Sequence, residues 1–226
     1  MNRRRRITLA GACAIGLAAV AGLVVTACSK AKPPEARKPA SAAVAATAST
    51  LDNLQVAMAR AANAVMRYNA FATRADEEGY KSVAALFRAA AASEAVHARK
   101  LGAATAKMGA TPKTVAVAIP DVRSTKENLE AALKGEIAEN EATYPAFAKQ
   151  AEADKNQGAL YSFKGALAAE AEHAKLIRQA LADLDGWKAP GKVFAVCDVC
   201  GYTLLGEPPP TCPVCQAPKD KFVVVR

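Results

Sequence analysis

Four stretches of the chain repeat apolar residues at steps of three and four, the spacing of helices with one buried face. In the first, Leu54, Met58, Ala61, Val65, Tyr68 and Ala72 share a stripe, and the run over residues 51–78 ends at Gly79. The second covers residues 81–108 and is closed by Gly109 and Pro112. Ser124-Thr125-Lys126-Glu127 has the form of a capping box, so a third helix is expected over residues 124–154. The fourth runs over residues 156–184 and stops at Asp185-Gly186. One connection is long, residues 110–123 between the second and third helices. Its segment Val115-Ala116-Val117-Ala118-Ile119 is apolar enough to predict packing across the helices. Long helices with a single long crossover predict a four-helix bundle.

Composition agrees with that architecture. Of the 226 residues, 52% are hydrophobic but only 5% aromatic, and alanine dominates the apolar set. Alanine favours closely packed helices, whereas a large sheet would need more β-branched and aromatic side chains. The net charge of +9 does not point to nucleic acid. Arg3, Arg4, Arg5 and Arg6 belong to an N-terminal segment read below as cleaved, and the remaining 26 basic and 21 acidic groups leave +5. No basic stripe interleaved with aromatics marks a nucleic-acid partner.

The N-terminus has the layout of a secretory signal: the arginine cluster, then an apolar run over residues 7–27. Val25-Thr26-Ala27-Cys28 resembles the lipobox of bacterial lipoproteins, which implies lipidation at Cys28 and cleavage before it. The arginines loosely resemble a twin-arginine signal, which would suit a protein that folds around metal before export. The alternative is an uncleaved anchor, since about 20 apolar residues can span a bilayer. Either way the expectation is a periplasmic, membrane-anchored chain. Residues 29–50, rich in Ala, Pro and Lys, read as a flexible tether.

The remaining four of the six cysteines form two C-x-x-C pairs near the other end, Cys197/Cys200 and Cys212/Cys215. Two intervening residues let both thiolates of a pair reach one ion from a tight turn, and Gly201 supplies the backbone freedom that turn needs. Four thiolates suit iron or zinc, and the ligand set alone does not separate them.

Both histidines of the chain lie three residues after a glutamate: Glu94-Ala95-Val96-His97 on the second helix and Glu170-Ala171-Glu172-His173 on the fourth. Three residues turn a helix by about 300°, so each pair shares a face. The third helix adds Glu136 and Glu139, again three apart. A single Glu-x-x-His arises by chance on solvated faces. Two copies on alternate helices, with glutamates on the helix between, match most of the recipe for a di-iron site in a bundle core.

These residues carry a resemblance to the rubrerythrin family. Asn53-Leu54 and Arg67-Tyr68-Asn69-Ala70-Phe71-Ala72 resemble its first helix. Residues 128–136, Glu139 and Tyr144-Pro145-Ala146-Phe147-Ala148 resemble its third. Cys197-Asp198-Val199-Cys200-Gly201-Tyr202, Cys212-Pro213-Val214-Cys215, Pro218-Lys219 and Phe222 resemble rubredoxin knuckles and favour iron over zinc. The implied protein is mainly α: a ferritin-like four-helix bundle over residues 51–186, then a small rubredoxin-like β/knuckle domain over residues 187–226. The resemblance implies a di-iron centre bridged by Glu94 and Glu170, with Glu136 and His173 on one iron. His97 or Glu139 would bind the other, exchanging with redox state. Tyr68 and Tyr144 would hydrogen-bond ligand carboxylates, and Glu139 would relay protons.

One position departs from the family. Its first helix supplies a glutamate seven residues before the tyrosine matched by Tyr68, and that position here is Ala61. No acidic residue lies between Asp52 and Asp76, and Glu172 points about 200° away from Glu170 around its helix. The second iron therefore lacks one anionic ligand, leaving room for water or an exogenous anion, or for a single metal. The function implied is peroxide reduction, fed by an extracytoplasmic electron donor and carried out by a head-to-tail homodimer. Two rivals stand beside it: an electron-transfer or metal-binding protein with a disabled bundle site, and an iron-oxidising or oxidant-sensing protein.

Overall fold

The computed structural model describes residues 48–226. The expected signal, the Cys28 lipidation site and most of the tether lie outside those residues. Ser49 caps helix α1 (Thr50–Glu77) by accepting from the Asp52 backbone N–H while Asp52 reaches back, a reciprocal capping box. Gly79, at φ +82°, lets the chain reverse, and Tyr80 N–H returns to Ala75 O at 2.8 Å. Helix α2 (Lys81–Lys107) follows antiparallel to α1. The expected box at Ser124 and Glu127 opens α3 (Thr125–Ala138).

The third helix differs in one respect from the sequence expectation. A single π turn, Glu139–Thr143, joins α3 to α4 (Tyr144–Ala153). The turn takes in one extra residue without breaking the rod, and such insertions gather at functional sites. Helix α5 (Gln157–Ala182), capped by the Asn156 side chain, completes the bundle.

The crossover lies along α1 and is held there by side-chain amides. Gln55 donates to Thr111 O at 3.2 Å and accepts from Lys113 N at 2.9 Å, while Asn63 accepts from Ala118 N at 2.7 Å. The expected packing holds for Val115, which lies against the core of the bundle, but not further along, where Val117 is 57% and Ile119 96% exposed. Backbone groups of an irregular strand must be satisfied before its side chains can be sequestered, and here the amides of α1 decide which way it faces.

Two apolar clusters fill the bundle. One contains Tyr68, Phe71, Phe87, Leu129 and Leu176; the other contains Leu54, Leu101, Tyr144, Phe147 and Phe163. Trp187, Phe194 and Val196 extend the first cluster into the C-terminal domain. That domain is a three-stranded antiparallel sheet with β1 (Phe194–Cys197) between β2 (Thr203–Leu205) and β3 (Phe222–Val225). The connection from the bundle is fixed at its start, where Lys81 N–H donates to Lys188 O and the Ser82 hydroxyl to Ala189 O. Phe87 packs its buried ring against Tyr68 and Phe71, with centroids 5.9 and 5.4 Å apart. Phe87→Ala is expected to cost about 3–5 kcal/mol of stability, read by denaturant unfolding of the metal-free chain.

Candidate metal centres

The two clusters are separated by a layer of buried charge. Glu94 from α2, Glu136 from α3, and Glu170 and His173 from α5 each offer a ligand atom, and these atoms all lie within 4.8 Å of one another. His97 faces the same layer, its Nδ1 3.4 Å from both Glu94 and Glu170. His173 Nδ1 is 3.1 Å from Glu170 and 3.6 Å from Glu136. The Tyr68 hydroxyl donates to Glu136. Glu139 stands at the edge of the layer, where Arg60 reaches it at 3.4 Å. A groove of about 510 Å³ opens over this edge between α1 and α3, lined by Arg60, Asn63, Arg67 and Glu139 among others.

Without metal, protons hold this layer together. Burial and then the charge of Glu170 push the Glu94 carboxyl up. Burial, followed by the neighbouring carboxylates, lifts Glu139 to about 8. Burial opposes charge on His97, yet hydrogen bonds to Glu170 and Glu94 prevail and hold it at about 10. Burial likewise opposes His173, and Glu136 pulls its pKa well above the usual value. Two imidazolium groups thus stand where cations are needed. Two buried polar atoms of the layer have no hydrogen-bond partner, His97 Nε2 and the Tyr144 hydroxyl, and Glu170 Oε1 has only the 3.4 Å approach of His97 Nδ1. Glutamates and imidazoles converging within 4.8 Å fit a site for iron-like divalent cations, which would displace the protons.

The second centre is the expected four-cysteine site. Cys197 and Cys215 sulfurs lie 3.6 Å apart, as do those of Cys200 and Cys212. A tetrahedron with metal–sulfur bonds of ~2.3 Å has edges near ~3.8 Å, so the four free thiols are preset for one ion. Burial pushes the Cys197 thiol up to about 11, and metal binding would remove that proton.

The two centres touch within one chain. Gly201, next to Cys200, sits at φ +83° with no room for a side chain, since an added Cβ would overlap His97 Nε2. The Ser93 hydroxyl donates to Gly201 O at 2.5 Å, and the Thr203 hydroxyl lies 3.1 Å from His173 Nε2.

Every bundle residue singled out from sequence therefore reaches one layer, though Glu139 is turned toward Arg60 and Tyr144 bonds nothing. Sequence reasoning missed Arg60, Ser93 and Thr203. None lies in a motif, and only the close approach of Gly201 to helix α2 explains the last two.

Comparison with known proteins agrees with this geometry. Residues 52–181 match the rubrerythrin family, and residues 196–223 match the rubredoxin-like domain of rubrerythrin. Nigerythrin of Nitratidesulfovibrio vulgaris is 39% identical over 178 residues, covering 78% of this chain and 87% of that protein. Rubrerythrin-2 of Clostridium acetobutylicum is 34% identical over 177 residues, covering 77% and 96%. The structure of fully reduced, all-ferrous nigerythrin superposes with a TM-score of 0.73 at 37% identity, over 82% of this chain and 91% of that one. A Mycobacterium tuberculosis bacterioferritin at 18% identity and TM-score 0.56 shares the bundle fold. The four-cysteine site and the carboxylate–histidine site correspond to the iron sites of this family.

The protonated layer predicts a pH dependence for the metal-free protein. His97 is raised from 6.5 to about 10 and Glu139 from 4.5 to about 8. In both cases the folded state binds the proton more tightly, so the stability it brings is present at low pH and lost as pH rises. The metal-free chain is expected to lose stability progressively from about pH 5 to 10, while the iron-loaded chain does not. Thermal melts across that range check it, and a flat profile for the metal-free chain would contradict it.

Proposed function

The chain belongs to the rubrerythrin family, and from that premise we propose that it reduces hydrogen peroxide to water with electrons relayed through its four-cysteine centre. The observation that carries this reading is the seating of Gly201 against His97 and Ser93, which leaves no solvent gap between the two centres. When bound, iron at the four cysteines would pass single electrons, and iron in the bundle would deliver two to the peroxide O–O bond. Glu94, Glu136, Glu170, His97 and His173 would hold the bundle metal. Tyr68 fixes the orientation of Glu136 through its hydroxyl. Each peroxide takes up two protons as it becomes two waters, and Glu139, at the edge of the layer beside the groove, is placed to relay one. The head-to-tail homodimer belongs to the same proposal; the relay contact described above lies within a single chain and would operate in either assembly.

Ala61 favours one rival reading, a chain that transfers electrons while its bundle binds one metal or none. Iron content per chain separates the two. About three irons, with peroxide rapidly reoxidising the reduced four-cysteine centre, is the expected result. One iron at the cysteines, together with peroxide reduction that appears only in Ala61→Glu, would assign the natural chain to electron transfer. Gly201→Ala should slow peroxide-driven reoxidation by about a hundredfold, because its Cβ pushes the knuckle off His97, and it should also perturb the four-cysteine absorption spectrum by straining the positive-φ turn beside Cys200.

We further propose that the chain is lipidated at Cys28 and works outside the cytoplasm, drawing on a periplasmic or membrane redox donor. Mass spectrometry of the mature N-terminus tests this: a diacylated Cys28 is expected, and retained residues 1–27 would make the segment an anchor instead.

A further inference from the structure

The bundle layer contains an internal repeat with one member missing. Helix pair α1/α2 carries Tyr68 and Glu94-x-x-His97; helix pair α3–α4/α5 carries Tyr144 and Glu170-x-x-His173. In the second pair Glu136 precedes its tyrosine by eight residues, one of them taken up by the π turn, which equals the seven-residue step from Ala61 to Tyr68. Ala61 is thus the counterpart of Glu136. The hydrogen bonds follow the same symmetry. Tyr68 of the first pair donates to Glu136 of the second. Its counterpart Tyr144 would donate to a carboxylate at position 61, and there the chain offers a methyl group.

The consequences are on the molecule. The Tyr144 hydroxyl is fully buried, faces the charges of Glu170, Glu139, Glu94 and Glu136, and has no hydrogen-bond partner. Glu170 Oε1 in the same layer is met only by the His97 ring, whose Nδ1 stands 3.4 Å away. Ala61 is buried and belongs to neither apolar cluster, lying between Met58 of one and Ala64 of the other, at the level of the charged layer. Charge is short as well. Glu139 is turned toward Arg60 at 3.4 Å, which leaves three carboxylates, Glu94, Glu136 and Glu170, facing the metal positions, one fewer than a fourth glutamate at position 61 would provide. The groove over this edge is flanked by Arg60 and Arg67, which favour entry of an anion.

We propose that the position left by the short side chain of Ala61 is a subsite for a small monocarboxylate of formate or acetate size, which accepts the Tyr144 hydrogen bond and supplies the missing ligand to the second metal position. The proposal rests on the di-iron reading above. It makes the second metal of this chain conditional on an exogenous anion, so that carboxylate availability sets how much of the bundle is doubly loaded.

The test is an anaerobic Fe(II) titration of the full-length chain with its four-cysteine site already filled, in chloride and in formate or acetate at equal ionic strength. Iron bound to the bundle is read by equilibrium dialysis. The expected result is that carboxylate raises the affinity for the second bundle iron about 10- to 100-fold, the scale on which a lost ligand-supporting contact acts. Tyr144→Phe should abolish most of that gain, and Ala61→Glu should bind two irons with no carboxylate present. Two irons in chloride alone, unchanged by formate, would overturn the subsite and leave the di-iron reading intact. One iron under every condition for the natural chain, with two for Ala61→Glu, would also overturn it. No bundle iron even in Ala61→Glu would overturn both the subsite and the reading it rests on.

Discussion

The fold is organised around a carboxylate layer that cannot stay charged and buried by itself. Glu94, Glu136 and Glu170 lie between two apolar clusters with almost no exposure. Uncompensated, each buried carboxylate would cost several kcal/mol. The chain meets that constraint with His97 and His173 in the metal-free state and with divalent cations in the loaded one. Both solutions need four helices to bring their ligands to one level. The caps, the single crossover and the close alanine packing of α1 on α2 have that as their common consequence.

The same layer fixes the second domain. A rubredoxin-like knuckle needs a positive-φ residue after its second cysteine, and glycine provides it at Gly201. Here that glycine has a further duty, because its bare Cα is the surface on which His97 rests. Trp187, Phe194 and Val196 meanwhile join the core of the bundle, so the small sheet is built onto the helices rather than tethered to them. One residue therefore serves the geometry of both centres. A change at Gly201 therefore touches both the thiolate site and the traffic between the centres.

The four helices, their boundaries to within a residue or two, and the two metal-ligand sets were legible in the sequence because each has a periodic or spaced signature. Apolar steps of three and four mark helices, Glu-x-x-His marks a shared face, and C-x-x-C marks a knuckle. Features set by packing between distant segments left no such mark. Val117 and Ile119 read as buried, but Gln55 and Asn63 of α1 hold their backbone and turn them outward. Ser93 and Thr203 look like ordinary polar residues until the knuckle is seated on α2. The π turn was visible only as a spacing of eight where seven would do, an anomaly that acquires meaning once the two halves of the bundle are compared.

That comparison bears on how a metal site tolerates loss of a ligand. Removing a buried carboxylate usually leaves its hydrogen-bond donor stranded, and a stranded hydroxyl in an apolar core costs about 1–3 kcal/mol. Here Tyr144 has kept its hydroxyl although position 61 no longer answers it. A chain that had given up the second metal would gain by filling the space with apolar bulk, as Phe147 and Phe163 do one layer away. Instead position 61 holds an alanine and the buried Tyr144 hydroxyl is left without an acceptor. A ligand from solution that carries one negative charge and accepts a hydrogen bond would answer both, which is the sense in which the missing glutamate is a coordination position opened to small carboxylates.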